Sequence, residues 1–484
     1  MSGSTIKRST AGLVVAALTC LSSTTQAAST YDYFAANRTL ISHGVQAVLT
    51  CNGLFTSNRT LKQVFDQELK YLSEPVGTVD GGDYRIDRAQ KWVEVGSPPH
   101  QVRAAFRTGI GCVVMAPDQN REEVNDLPQQ TLAPLTADAA SVAWPDGDLI
   151  ESGQEMTLAL KNVDREKLQA ASDWAFERDT PEQDTLSLLV IHDGQIVHER
   201  YAPGVDQTTR TRTWSTAKSI ATTLIGMRMK ESSLELDTPL NIDWLPKIPA
   251  QNDPRHDITL RHLMNMSSGL YPVDSFKMEY ATGSGLAYWA GASSINGARN
   301  RALVAKPGTA WEYENYDTLL AVYAMKRTFK NTQEYLDYPR KALLDKIGMR
   351  NTLLSTDRFG DFILSSQVYT NARDLGRFGL LWLNDGLWHG EQLVDTEWID
   401  FATTPAPAST SRHNDYGGYM WLVPDNRTDV PQDAYATAGN RGQYVIVVPS
   451  HNTVIVRRGL DYGRQGFNRW DLTREVLKAI QPTR

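Results

Sequence analysis

Ser215 and Lys218 are the residues on which chemistry can be built. They stand three apart in Thr213-Trp214-Ser215-Thr216-Ala217-Lys218-Ser219-Ile220. The run reads as the first turns of a helix, so hydroxyl and amine share a face and can meet. A serine alcohol is a weak nucleophile until something takes its proton. No histidine lies within local reach of Ser215, and the chain holds no Gly-x-Ser-x-Gly elbow. That leaves Lys218 as the base, a pairing the Ser-x-x-Lys spacing permits. An amine with an ordinary pKa of about 10.4 is charged at neutral pH, so burial or a neighbouring positive charge must lower it. A phenol, with an ordinary pKa of about 10, could share the proton and relay it to a leaving group. The chemistry therefore calls for a tyrosine near the pair. Spacing alone is not specific, since Ser4-Thr5-Ile6-Lys7 repeats it.

The elements that must position these groups follow from periodicity. Ile220, Leu224 and Ile225 give the Ser-Lys helix an apolar side to bury. Val163 to Phe176 reads as an amphipathic helix with Leu168, Ala171, Trp174 and Ala175 on one side. Ser187–Ile191 and Gln195–Glu199 flank Asp193-Gly194, a strong hairpin signal. His192 and His198 sit at its strand ends; further ligands at metal spacing are missing, and both read as strand histidines. Ile258 to Met264 suits a buried helix stopped at Gly269, and its His262 reads as structural rather than as a general base. Leu375 to Trp382 reads as a packed helix and Asp415 to Trp421 as a strand. Gln443–Val448 and Thr453–Val456 read as antiparallel strands, and Trp470 to Ile480 as a helix packed on them. Upstream, Thr60 caps a helix carrying Leu61, Val64, Phe65 and Leu69, and strands follow at Trp92–Val95, Val102–Phe106 and Cys112–Met115.

Two further stretches supply the missing chemistry. Pro307-Gly308-Thr309-Ala310-Trp311-Glu312-Tyr313-Glu314-Asn315 is a turn entering a helix, a junction where side chains are displayed. Thr437-Ala438-Gly439-Asn440-Arg441-Gly442-Gln443 is a glycine-rich turn between strands. Together with Trp214–Lys218 and Ile258–Leu270, and in that order, these stretches resemble the serine hydrolases of the class C β-lactamase type. Within the penicillin-recognising superfamily the chain looks most like the 6-aminohexanoate-dimer hydrolase and esterase branch, over roughly residues 160 to 480.

The resemblance implies an α/β (α+β) fold: an antiparallel sheet flanked by helices, a helical subdomain, and a cleft between them. It implies Ser215 as the acylated nucleophile, Lys218 as its proton partner and Tyr313 as the catalytic tyrosine of Tyr-x-Asn, with Asn315 as the motif asparagine. Tyr369-Thr370-Asn371 also fits Tyr-x-Asn, but only Tyr313 follows Pro-Gly-Thr and a tryptophan as in the family. The family's Lys-Thr-Gly or His-Thr-Gly corresponds best to Thr437-Ala438-Gly439, followed by Asn440. No cation stands at Thr437, and Arg441 is displaced, so neutral esters or amides are expected ahead of β-lactams. The amides of Ser215 and Asn440 are the expected oxyanion donors. Trp388-His389-Gly390 and Tyr416 to Trp421 either line the cleft or belong to the core. No metal or organic cofactor is required. A cell-wall D-amino-acid peptidase or β-lactamase, and a catalytically silent protein binding peptides or wall fragments, are the alternatives.

Length, charge and cysteines bound the rest. At 484 residues the chain exceeds one ordinary core. A formal net charge of −7 without a basic run argues against nucleic acid as partner. Lys7-Arg8, the apolar run Ala11 to Leu21 and Gln26-Ala27-Ala28 read as an export signal over residues 1–27. The run is too short to span a bilayer, and Cys20 is a poor match to a lipid anchor. A periplasmic or secreted protein without stable membrane insertion is expected. Removing the signal leaves Cys51 and Cys112, which either pair in a disulfide or remain buried thiols. The expected organisation is a small α/β domain over 28–117, a polar linker or wrapping segment over 118–155 and the hydrolase domain over 156–484. The substrate is a small-molecule or peptide-like ester or amide; the oligomeric state is left open.

Overall fold

Alternating side chains along Thr185–His192 point into two different cores. Leu188 and Val190 join one cluster with Ile446, Ile455, Trp470 and Val476, while Leu189 and Ile191 join another with Val445, Val454, Leu375 and Phe378. A strand apolar on both faces must lie inside a sheet covered on both sides, and this one does. The computed structural model describes residues 34–482 except 134, 136–138 and 152. The expected export segment and its Ser4–Lys7 pair lie outside the described residues.

The central sheet has six antiparallel strands in the order Trp421–Leu422, Tyr435–Gly439, Gln443–Val448, Thr453–Gly459, Thr185–His192 and Gln195–Tyr201. The last two are joined by Asp193-Gly194, both at positive φ (48° and 79°), the conformation a two-residue hairpin with this twist demands. Helices Arg165–Phe176 and Arg469–Leu477 cover one face. Helix Ala372–Leu383, buried along its whole length, covers the other. On the same side Thr216–Glu231 lies against strand Tyr435–Gly439, Asn315–Lys326 packs on that helix, and short helices and turns fill residues 250–299.

The N-terminal residues form a four-stranded antiparallel meander, Tyr84–Asp87, Trp92–Val95, Val102–Arg107 and Gly111–Met115. Helix Ala35–Phe55 packs on this sheet and also on helix Gly285–Trp289, and Cys51 and Cys112 are joined by a disulfide between helix and sheet. One face of the meander, Trp92, Ala105, Val113 and Met115, closes a small cluster with Ile110 and Leu127, and its other face joins the main core. Val48, Val93 and Val114 belong to the same cluster as Ile220 and Leu319, and Phe34–Arg484 form one compact unit.

Two elements depart from expectation. Helix Ala35–Phe55 is not announced by a stripe, because from Gly44 to Leu54 it is buried on every side, with Gln46, Thr50 and Asn52 interrupting the apolar residues. The strand expected over Asp415–Trp421 is reduced to Trp421–Leu422, because Tyr419 adopts φ 64° and the Gly417 amide donates to the Met420 carbonyl, folding the segment back on itself.

Candidate active site

Ser215 stands at the N-cap of helix Thr216–Glu231. It is partly exposed, whereas Lys218, one turn on, is 2% exposed. The lysine amine donates to Ser215 Oγ at 3.3 Å, to Asn315 Oδ1 at 2.7 Å and to the Ser365 carbonyl at 2.9 Å. Burial brings its pKa down to about 7; Arg212 pushes the same way, and the carboxylates of Glu279, Asp274 and Glu314 oppose it. At neutral pH the amine is therefore divided between free base and ammonium, the condition under which it can take a serine proton.

Tyr313 is positioned by the loop entering helix Asn315–Lys326, whose first amides Glu314 caps through a bond from the Tyr316 amide. Burial pushes the pKa of its hydroxyl up while the nearby Ser215 hydroxyl pulls it down, so it stays a phenol and can hand on a proton. Lys218 Nζ lies 4.7 Å from the centre of its ring. Tyr416 and Trp421 pack on that ring at 6.1 and 5.8 Å between centroids. Tyr416 is buried in the main core and Trp421 is half-buried against it, so the two back the Tyr313 ring.

Asn315 links the lysine to an acidic shell. Its Nδ2 donates to Asp274 Oδ2 at 2.8 Å and to Ser284 Oγ at 3.2 Å, which fixes the amide so that its oxygen faces Lys218. Asp274 also accepts from the Ser284 amide and hydroxyl and donates its own amide to Glu314. Glu279, inside this shell, has its pKa raised to about 7 by burial and by the Asp274 charge, against the pull of Lys218 and Arg212. Asp274, Glu279, Ser284 and Ser365 had no local signal in the sequence: none lies in a recognisable motif, and the fold alone gathers them.

Gly439 closes the site from the sheet side. A Cβ there would fall 2.0 Å from the Thr213 carbonyl oxygen and 3.1 Å from the Thr216 nitrogen, so only glycine allows the strand to run this close. Thr216 Oγ1 and Thr437 Oγ1, 3.1 Å apart, bind helix and strand together. Asn440 follows at the strand end, exposed, so its amide and that of Ser215 lie on facing segments. Thr437, where the family motif carries a cation, is buried and holds that bond and the Val445 amide. Arg441 points away, its guanidinium donating to the carbonyls of Gln67, Glu68, Leu460 and Asp461.

The remaining sequence-predicted residues lie elsewhere. His262 accepts the Thr259 amide in a capping box. Asn371 of the second Tyr-x-Asn caps helix Ala372–Leu383. His389 bonds Asp146. Among the described residues there is no group of three or more His, Cys, Asp and Glu side chains able to hold a metal, and no helix long and apolar enough to cross a membrane.

The antiparallel sheet between helices and the Ser-Lys-Tyr cluster define a class, and comparison with known proteins agrees with it. The Beta-lactamase family pattern matches residues 175–457: the chain belongs to the β-lactamase family and has its serine-hydrolase fold. An uncharacterised protein of Alkalihalophilus pseudofirmus is 25% identical over 304 residues, 58% of this chain and 86% of that one. Among solved structures, a family VIII carboxylesterase shares the fold with a TM-score of 0.50 at 14% identity, covering 67% of this chain and 97% of its own. A putative 6-aminohexanoate-dimer hydrolase from Bacillus anthracis gives 0.49 at 23% identity, covering 58% and 75%.

Proposed function

We propose that the protein is an exported serine hydrolase that cleaves a neutral ester or amide through an acyl-enzyme on Ser215. The observation that carries this reading is the buried Lys218 amine, brought to about pKa 7 and 3.3 Å from Ser215 Oγ. Ser215 Oγ adds to the substrate carbonyl while its proton passes to the free amine. The carbonyl oxygen becomes an oxyanion facing the Ser215 and Asn440 amides, donors of a kind worth roughly 3 to 4 kcal/mol each. As the tetrahedral adduct collapses, the leaving oxygen or nitrogen departs with a proton from Tyr313, and the Lys218 ammonium restores the phenol's proton. Water then adds to the acyl carbon, gives a proton to the same relay and releases the acid, and the relay returns that proton to Ser215 Oγ. Thr437, with no charge at the place of the family's cation, and Arg441, turned away, favour uncharged acyl groups over β-lactam carboxylates. The Cys51–Cys112 disulfide supports an oxidising compartment, periplasmic or secreted.

The test treats the mature protein and Ser215→Ala with a fluorophosphonate probe and with a fluorescent penicillin. Fluorophosphonate labelling lost in the variant is expected. Labelling that persists in Ser215→Ala removes the nucleophile assignment; preferential penicillin labelling replaces the esterase reading with a β-lactamase or D-amino-acid peptidase; labelling by neither probe favours a silent binding protein.

A further inference from the structure

We propose that the turn Val64–Tyr71, outside the matched family region, is a clamp that sets the geometry of the oxyanion hole; this rests on the hydrolase reading above. The two expected donors, the amides of Ser215 and Asn440, each adjoin a residue forced into the left-handed region: Trp214 at φ 51° before one, Arg441 at φ 60° after the other. For bulky side chains such a conformation is strained and persists only where the surroundings hold it. Both residues are held by the same turn. The Tyr71 ring packs on the Trp214 indole at 4.8 Å, with the Arg212 guanidinium also 3.8 Å from the indole centre. The Gln67 and Glu68 carbonyls accept from the Arg441 guanidinium at 2.9 and 3.0 Å.

Local structure explains why the turn can do this. The helix that Thr60 starts passes into a π-turn over Val64–Glu68 and a 3-10 turn over Leu69–Tyr71. The Gln67 and Glu68 carbonyls lie at the negative end of this short helix, where a cation is favoured. The buried Glu68 carboxylate, paired with Arg59 at 2.6 Å and 3.5 Å from Arg441, balances the charge brought in. The Tyr71 hydroxyl is tied to that of Tyr280, while the ring itself rests on the Trp214 indole. Since Gly439 already touches Thr213 and Thr216, a displacement of either segment moves one donor relative to the other. Tyr71 and Arg441 are thus positioning residues. They act on the direction of the amides, leaving Lys218 its own partners.

The test compares Tyr71→Ala, Tyr71→Phe and Arg441→Met with the wild type and Ser215→Ala. Its substrates are a p-nitrophenyl ester and the matching thionoester, whose sulfur accepts hydrogen bonds poorly. Tyr71→Ala and Arg441→Met are expected to lower kcat on the ester about 10- to 100-fold with KM within about twofold and the pH midpoint unmoved. The ester-to-thionoester rate ratio should fall at least about fivefold, and Tyr71→Phe, which keeps the ring on Trp214, should restore rate and ratio. Tyr71→Leu supplies the measurement if the alanine variant does not fold, and is expected to fall between Ala and Phe. An unchanged ratio overturns the clamp, whether the rate holds or falls in proportion to folded protein. Ester hydrolysis undiminished in Ser215→Ala would instead remove the hydrolase reading itself.

Discussion

Replacing Lys218 with methionine should flatten part of the protein's stability against pH, and the size of the effect follows from one number. The lysine's pKa falls from 10.5 in the unfolded chain to about 7 in the folded one. Between those values the folded state binds fewer protons than the unfolded, so stability rises with pH through this window. At about 1.36 kcal/mol per pKa unit, the penalty for burying the lysine is about 3 kcal/mol at pH 8 and just under 1 kcal/mol at pH 10. The wild type should therefore gain about 2 to 3 kcal/mol over that range relative to Lys218→Met, a window chosen above the titration of Glu279. The substitution also strands Asn315 Oδ1 and the Ser365 carbonyl, at about 1 to 3 kcal/mol each. That offset does not vary with pH, so the slope is the measurement and the absolute difference is not. Urea unfolding of both proteins at half-unit steps from pH 8 to 10 gives it, and ester hydrolysis by the variant should be down about 1000-fold. Parallel stability curves would mean that Lys218 keeps an ordinary pKa and cannot serve as the base.

The same lysine sets the rate profile: kcat/KM on an aryl ester should climb tenfold per pH unit up to about 7 and then level off. Glu279→Gln removes a carboxylate that raises the lysine's pKa, so the midpoint should move to lower pH; an upward or absent shift would refute their coupling. Gly439→Ala places a methyl 2.0 Å from the Thr213 carbonyl and must part strand from helix, so fluorophosphonate labelling should slow at least about 100-fold. Labelling at the wild-type rate would show that the close approach is dispensable. Cys51→Ala with Cys112→Ala opens a link across 61 residues, worth about 4 kcal/mol by loop-closure entropy. Calorimetry of the double variant measures it, and an unchanged melting temperature would contradict it.

What could be read from the sequence was whatever is local. Ser215 and Lys218 share a helical face by spacing, Asp193-Gly194 writes its own turn, and Thr60 caps a helical segment whose α part is only Leu61–Gln63 before it passes into π and 3-10 turns. Tyr313 could be separated from Tyr369 by the residues before it; in the fold Tyr313 lies with Lys218 Nζ 4.7 Å from the centre of its ring, while Asn371 is engaged in capping a helix. What could not be read is whatever depends on segments far apart in the chain. Asp274, Ser284 and Ser365 meet Asn315 and Lys218 across up to 147 residues, and no periodicity records such a meeting. Helix Ala35–Phe55 escaped for a related reason: buried on every side from Gly44 to Leu54, it keeps Gln46, Thr50 and Asn52 inside, so no apolar stripe marks it.

The positive φ of Trp214 lies between these cases. Tryptophan has no preference for that region, so nothing at residue 214 marks it. The conformation is stable because Arg212, two residues away, and Tyr71, 143 residues away, pack on the indole together. A catalytic backbone held in an unfavourable shape needs more contacts than one strand and one helix supply. Here the further contacts come from the N-terminal turn, and this gives a physical reason for the meander and the hydrolase fold to share a core. Had the turn been a separate module on a linker, its carbonyls could not have fixed Arg441 to within hydrogen-bond distance. The buried ion pairs Arg59–Glu68 and Arg441–Glu68 are then best understood as specifying that docking, since buried pairs add little net stability of their own.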